Sequence, residues 1–269
     1  MRTATNDPNR SIKMINRPFV RTYEEMNSQN IVSGFLAALV FSIGMAFIPA
    51  SVISYIVKER EINIKHQQLV SGVSVKAYWF SNWLMDLGKH IIPSIVCCLL
   101  ILAFNVTSMI DDGNYGAMWI IFFLYGWSII PFCYLFSFAF KLQGNAMLLN
   151  FFLHLVIGSI ISLVIYILRI IPSTRSGAKA VSWVLRLIPS FSFAYGIVNA
   201  CSRTAYKTLE GYDEIKGVYD IDIAGGDILM MALEGVLYTF FVFVIEYFED
   251  NGQLQKLGSK ENEILYTPK

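Results

Sequence analysis

A few polar side chains stand among apolar neighbours, and these are the places where the sequence offers chemistry. Asn82, Asp86 and His90 recur at every fourth position, so a helix carries them on one face, with Lys89 one turn from Asp86. On one reading Asp86 belongs to a polar path along which a substrate moves. On the other, this turn lies at interface depth, and Lys89 reaches towards water while pairing with Asp86. The spacing favours the second reading. Glu234 poses a similar choice, because a carboxylate inside an apolar run needs a partner or water. It either faces a cavity for a lipid headgroup or forms a pair, with Arg169 at the end of another apolar run as the candidate cation. Both alternatives remain open at this point.

Catalytic signatures are missing from the sequence. His66, His90 and His154 have no metal-ligand spacing, and no metal site is expected. The sequence contains no HExxH, no G-x-S-x-G and no GxxxxGK[ST] phosphate loop. The chain is therefore expected not to be an enzyme by itself and to hold no cofactor of its own. Cys97, Cys98 and Cys133 lie in apolar runs and read as small packing residues, whereas Cys201, in a more polar stretch, is the one open to oxidation. Asn105-Val106-Thr107 is a glycosylation sequon, usable only if that end faces the lumen or exterior.

The elements that must position these residues are long apolar helices. The chain has 269 residues, 55% hydrophobic and 14% aromatic, a composition of an integral membrane protein. Its net charge of +1 comes without any dense basic run, which argues against a nucleic-acid partner. Runs at 31–57, 77–106, 117–140, 146–171 and 228–247 are each long enough to cross a bilayer. Pro49 is expected to kink the first. Between the last two runs, Ala178–Leu187 and Phe191–Ala200 are too short to cross about 30 Å of hydrocarbon. Split by Pro189, they read as a re-entrant or interfacial helix pair within 178–200, followed by a surface loop from Thr204 to Asp227. The expected fold is an all-α integral membrane protein, a polytopic helical bundle of about five spans with that short pair. Residues 1–30 and 249–269 are polar, and the opening segment has no apolar core of a secretory signal. Charges flanking the first span are nearly balanced, so they do not orient the chain.

One polar stretch, Lys58 to Trp79, is clamped between the first two spans and must emerge into water at one membrane face. It opens on Lys58, Glu59, Arg60, Glu61, Lys65, His66, Gln67 and Gln68, interrupted by Ile62, Ile64, Leu69 and Val70 at a loosely helical spacing. Ser71-Gly72 breaks the pattern, and Tyr78-Trp79 returns the chain to the headgroup layer. It is either a solvated loop held at the lipid surface or a short helix that docks into a partner.

The wording of this stretch, FIPASVISYIVKERE at 47–61 and KHQQLVSGVSVKAYWFSNWLMD at 65–86, resembles the second transmembrane half of subfamily A ABC transporters, the lipid-exporting branch. FLYGWSIIPFCYLFSFAF at 123–140, MALEGVLYTFF at 231–241 and IKMINRPFVRTYEE at 12–25 are similar to that family in the same order. The resemblance implies an ABC exporter transmembrane domain of the subfamily A/G type. It implies that 58–75 is a cytosolic coupling helix, with Lys58, Glu59, Arg60, Glu61, Lys65, His66 and Gln68 giving polar contacts and Leu69 and Val70 apolar docking. It also implies an extracytoplasmic segment 1–30, outer-leaflet short helices at 178–200, a cytosolic tail 249–269, and a multi-pass protein of the plasma membrane or endomembranes. The implied partners are membrane lipids, a nucleotide-binding domain and the other transmembrane half, in cis or in trans. ATP and magnesium then belong to a nucleotide-binding domain that these residues do not contain. Asn82, Asp86, Arg169 and Glu234 remain candidates for a substrate path or intramembrane polar contact. A non-ABC channel, a secondary transporter, or a free-standing scaffold or remnant are the alternatives.

Overall fold

Inside lipid no water satisfies backbone N–H and C=O groups, so apolar runs of this length fold as helices. A computed structural model describes residues 23–110, 113–210 and 214–250, and no strand occurs among them. In chain order the helices are α1 (Tyr23–Met45), α2 (Phe47–Glu61), α3 (Ile64–Val70), α4 (Val75–Ala103), α5 (Thr107–Ile110) and α6 (Asn114–Ser137). They continue with α7 (Gln143–Leu155), α8 (Ser162–Ile170), α9 (Arg175–Leu185), α10 (Pro189–Glu210) and α11 (Gly226–Asp250). The expected segment before residue 23 and the tail after residue 250 lie outside the described residues, as do Asp111 and Asp112.

Among the described residues, five stretches are long and apolar enough to cross a membrane: Val32–Glu61, Val75–Ala103, Asn114–Ser137, Gln143–Ile170 and Ile221–Phe248. With crossings of this length and apolar content, the chain is a multi-pass membrane protein. The first span is α1 and α2 in series, interrupted at Ala46. Pro49 stands in the first turn of α2, where its missing N–H would otherwise have bonded Met45. The fourth is α7 and α8 joined by a wide-turned stretch, Val156–Ile161. There Ser42 donates to the Gly158 carbonyl at 3.3 Å, and Gly158 leaves room for Ser190 of α10. Spans facing outwards expose Leu36, Val40, Phe47, Ile92, Leu99, Leu233 and Phe240, a surface suited to acyl chains rather than water.

The centre of the bundle is α6 and α10. Phe122 and Tyr125 of α6 pack on Phe193 of α10 with ring centroids 5.1 and 4.5 Å apart. Two close approaches place α6 against its neighbours. A Cβ on Gly126 would fall 2.0 Å from the His90 ring of α4, and one on Gly235 of α11 would fall 2.0 Å from the Trp127 indole. Only glycine permits either contact.

The region after residue 172 departs from the sequence expectation. The short pair exists, but its second member continues to Glu210, well into the stretch expected to be loop. Residues 189–203 are buried on every side, packed among α1, α6, α8 and α11. This helix carries Ser190, Ser192, Asn199, Ser202 and Arg203, all buried, so its apolar content alone under-reported how much of it is enclosed. Three of these residues find partners inside the protein. Ser190 bonds His154 Nδ1 at 2.6 Å, Ser192 donates to the Arg186 carbonyl at 3.1 Å, and Asn199 accepts from Tyr206 at 2.6 Å. The turn after α9 lies against the last span. The Leu187 carbonyl accepts from the Tyr238 hydroxyl, eleven residues and about 16 Å along α11 from Asp227, which binds Arg186. Cys201 is also not where the sequence placed it. It is buried against Gly34 of α1, closed to an oxidant rather than open to one.

Candidate functional site

At one end of the bundle the chain leaves α2, turns at Asn63 in a left-handed conformation (φ 59°), and makes the short surface helix α3. Asparagine tolerates that backbone better than most residues, which allows the abrupt change of direction. Ser74 then caps α4, accepting from the Ala77 N–H at 3.2 Å. Lys58–Glu61 therefore belong to the end of the first span, and the separate helix within 58–75 is only Ile64–Val70.

The residues expected to meet a partner divide into two sets. Glu59 and Lys65 are buried and point inwards. The Lys65 ammonium contacts both carboxylate oxygens of Glu246 in α11, at 2.6 and 2.8 Å, and the Trp79 indole N–H of α4 donates to the same carboxylate at 3.2 Å. Lys65 also lies 5.0 Å from the Trp79 ring centroid and 5.4 Å from that of Tyr78. Glu59 accepts from the Tyr78 hydroxyl at 2.7 Å, and Arg60 donates to the Ser137 carbonyl at 2.5 Å while covering Phe138. Glu59, Arg60 and Lys65, expected to supply partner contacts, here hold α3 and the end of α2 to the bundle. Lys58, Glu61, His66 and Val70 are exposed, with Val70 74% accessible, and Ile62 and Gln67 join them on the outer face. Gln68 and Leu69 are half-buried. Glu61 additionally accepts from the Gln143 backbone N–H at 2.8 Å, tying the start of α7 to the same end.

Higher in the bundle, Asp86 and His90 face α6. Asp86 is 2% accessible, accepts from the Tyr134 hydroxyl at 2.7 Å, and pairs with Lys89 at 3.0 Å. His90 Nε2 is 2.8 Å from the Phe122 carbonyl. Asn82 is half-buried on the same helix. These contacts close Asp86 into a helix–helix joint and supply the pairing with Lys89 that the spacing favoured. Glu234 and Arg169 are not brought together. Arg169 pairs with Glu210 at 2.7 Å, and both Glu234 oxygens are buried without a hydrogen-bond partner. The candidate pair is therefore withdrawn: Arg169 binds Glu210 instead, through Nε. Asn105 is exposed in the turn after α4, with φ 48°, at the end of the bundle opposite α3.

Between α4 and α11, above the Lys65–Glu246–Trp79 contact, runs an apolar cleft of about 220 Å³. Trp79, Phe80 and Trp83 line one wall, Thr239, Val242 and Phe243 the other, and Trp127 and Pro131 of α6 the floor. The cleft has the chemistry of a hydrocarbon chain or ring.

Sequence reasoning missed Glu246, the residue on which this end converges. It stands within the last apolar run, and 181 positions separate it from Lys65. The available signal was charge matching: a carboxylate in an apolar run requires a cation, and Lys65 follows Ile64 in a segment that connects two spans.

The family model described as ABC-2 family transporter protein matches residues 2–244. The chain is 25% identical over 246 residues to ATP-binding cassette sub-family A member 2 of Homo sapiens, covering 88% of this chain and 10% of that protein. It is 26% identical over 246 residues to phospholipid-transporting ATPase ABCA7 of Homo sapiens, covering 88% and 11%. It is likewise 26% identical over 245 residues to retinal-specific phospholipid-transporting ATPase ABCA4 of Bos taurus, covering 88% and 11%. The chain thus spans about a tenth of the length of these relatives.

Proposed function

The chain belongs to the ABC-2 family of transporter proteins, and from that premise we propose that it is the permease portion of a subfamily A-like transporter that moves lipid across or out of the bilayer. The work comes from ATP hydrolysis in a nucleotide-binding domain outside these 269 residues. That domain supplies the nucleotide and magnesium sites, and no run in this sequence fits a nucleotide's phosphates.

The observation that carries the reading is the way α3 is mounted. Its outer face is free, while its inner face is fixed through Lys65 to Glu246 of α11 and, through the same carboxylate, to Trp79 of α4. A push on Lys58, Glu61, His66 and Val70 therefore reaches α2 through the chain and α4 and α11 through side chains. Those last two helices form the walls of the apolar cleft. A shift of α11 relative to α4 changes the width of a space suited to a lipid tail.

The test uses the transporter that contains this chain, or the chain co-expressed with its nucleotide-binding subunit. Replacing the outer face by His66→Glu with Val70→Asp should lower lipid-stimulated ATP hydrolysis at least about tenfold, the scale of one lost interface contact. Membrane insertion and thermal stability should stay as in the parent. Unchanged stimulation would overturn the assignment of α3 as the receiving surface.

A further inference from the structure

One face of α11 is closed inside the bundle and carries Asp227, Met231, Glu234 and Tyr238 at helical spacing, all of them buried. The two acidic residues stand about 10 Å apart along the helix axis, and their surroundings are unequal. Asp227 receives the Arg186 guanidinium, from Nε at 2.7 Å and from Nη2 at 3.3 Å. Glu234 is 1% accessible, and neither of its oxygens has a hydrogen-bond partner. At Asp227 the guanidinium rests 4.4 Å from the Trp183 ring centroid and 5.6 Å from that of Tyr195. Gly226 leaves it room, since a Cβ there would fall 3.0 Å from Nη1. The backbone at Arg186 is held further along α11. Its neighbour Leu187 accepts, through the carbonyl, from the Tyr238 hydroxyl. Aromatic side chains of a helix lean back towards its N-terminus, which sets that hydroxyl near the turn of Glu234. Arg186 thus leaves the chain near the level of Glu234 and extends back to Asp227.

We propose that Arg186 exchanges between Asp227 and Glu234, giving the turn between α9 and α10 two settings against the last span. One guanidinium cannot satisfy two carboxylates placed this far apart, so one of them is always left over, and the structure shows the setting in which it is Glu234. Turning the long arginine stem the other way carries its charge towards Glu234. The move makes one buried pair and breaks one, so the number of paired charges is the same in both settings. That equality is what a switch requires: two arrangements of one packed joint that differ little in energy, with no continuous path of half-paired states between them. It also gives a buried carboxylate without a partner, otherwise a pure cost, a reason to be where it is. The contacts of Leu187 and Ser192 with Tyr238 and with the Arg186 carbonyl hold the backbone of the turn while the side chain moves. The exchange needs neither nucleotide nor moving lipid, so its test is separate from that of the permease reading.

The experiment is thermal unfolding of the purified full chain in mixed micelles, followed by helical ellipticity. Glu234→Gln is introduced into three backgrounds: the parent, Asp227→Asn, and Asp227→Asn with Arg186→Gln. In the parent it should not lower the midpoint, because Arg186 is already paired with Asp227. In Asp227→Asn it should lower the midpoint by about 5 °C or more, because it removes the carboxylate to which the guanidinium has moved. With Arg186 replaced as well, the loss should disappear. That third background separates the exchange from plain repulsion between the two carboxylates, which would act without Arg186. Equal effects in all three backgrounds would overturn the proposal, as would a loss in the third as large as in the second. Failure of Asp227→Asn to fold would overturn it too, since the guanidinium would then have found no second partner.

Discussion

Two carboxylates of the last span, twelve residues apart, have opposite surroundings and should respond oppositely to the same substitution. Glu246 meets an ammonium and an indole N–H. Removing one member of a buried pair leaves the other charge uncompensated, so Glu246→Leu should destabilise the protein by about 3–5 kcal/mol. Glu246→Leu combined with Lys65→Met should recover most of that loss, because both charges are then gone. Glu234 has no donor in reach of either oxygen. Glu234→Leu removes an unsatisfied buried group and should be neutral or stabilising by about 1–2 kcal/mol. Unfolding in mixed micelles, followed by loss of helical ellipticity, checks both, and equal destabilisation would contradict the difference described. A Glu234→Leu variant that gains stability but loses transport would mark this carboxylate as kept for function. The residue types at this end were legible in the sequence, but their directions were not. In a helix as short as α3 both faces mix polar and apolar residues, so periodicity could not say that Lys65 turns inwards while His66 turns outwards.

Among the elements, the spans were the easiest to read, since each needs only a long apolar window. Helix α10 was harder to read, because its serines, Asn199 and Arg203 are buried by what surrounds them and not by their own composition. Contacts between spans were invisible for the same reason: nothing in the sequence marks Gly126 as lying under His90. That contact is open to test. Helix α4 rests mainly on α6. Gly126→Ala should therefore push His90 off the Phe122 carbonyl and lower stability by about 1–3 kcal/mol, the usual cost of overpacking. Gly144→Ala, where nothing lies within 4 Å, should not. Thermal unfolding of the two variants separates a packing requirement from a general effect of glycine replacement.

For the molecule as a whole, the single crossing made by α4 puts α3 and Asn105 at opposite ends of the bundle. In a cysteine-free background, His66→Cys in sealed vesicles should react with an impermeant maleimide from one side only, and Tyr219→Cys from the other; labelling of both from the same side would remove one crossing. The buried course of α10 also bears on how the chain is made. A segment carrying Asn199 and Arg203 partitions poorly from the translocon into lipid by itself. It can settle only once α1, α6 and α8 are already present to receive it, and α11, synthesised last, completes the enclosure. Biogenesis of this domain is then ordered by solubility in the bilayer as well as by translation. A ribosome stalled before α11 would expose an unfinished polar helix to the quality-control machinery of the membrane.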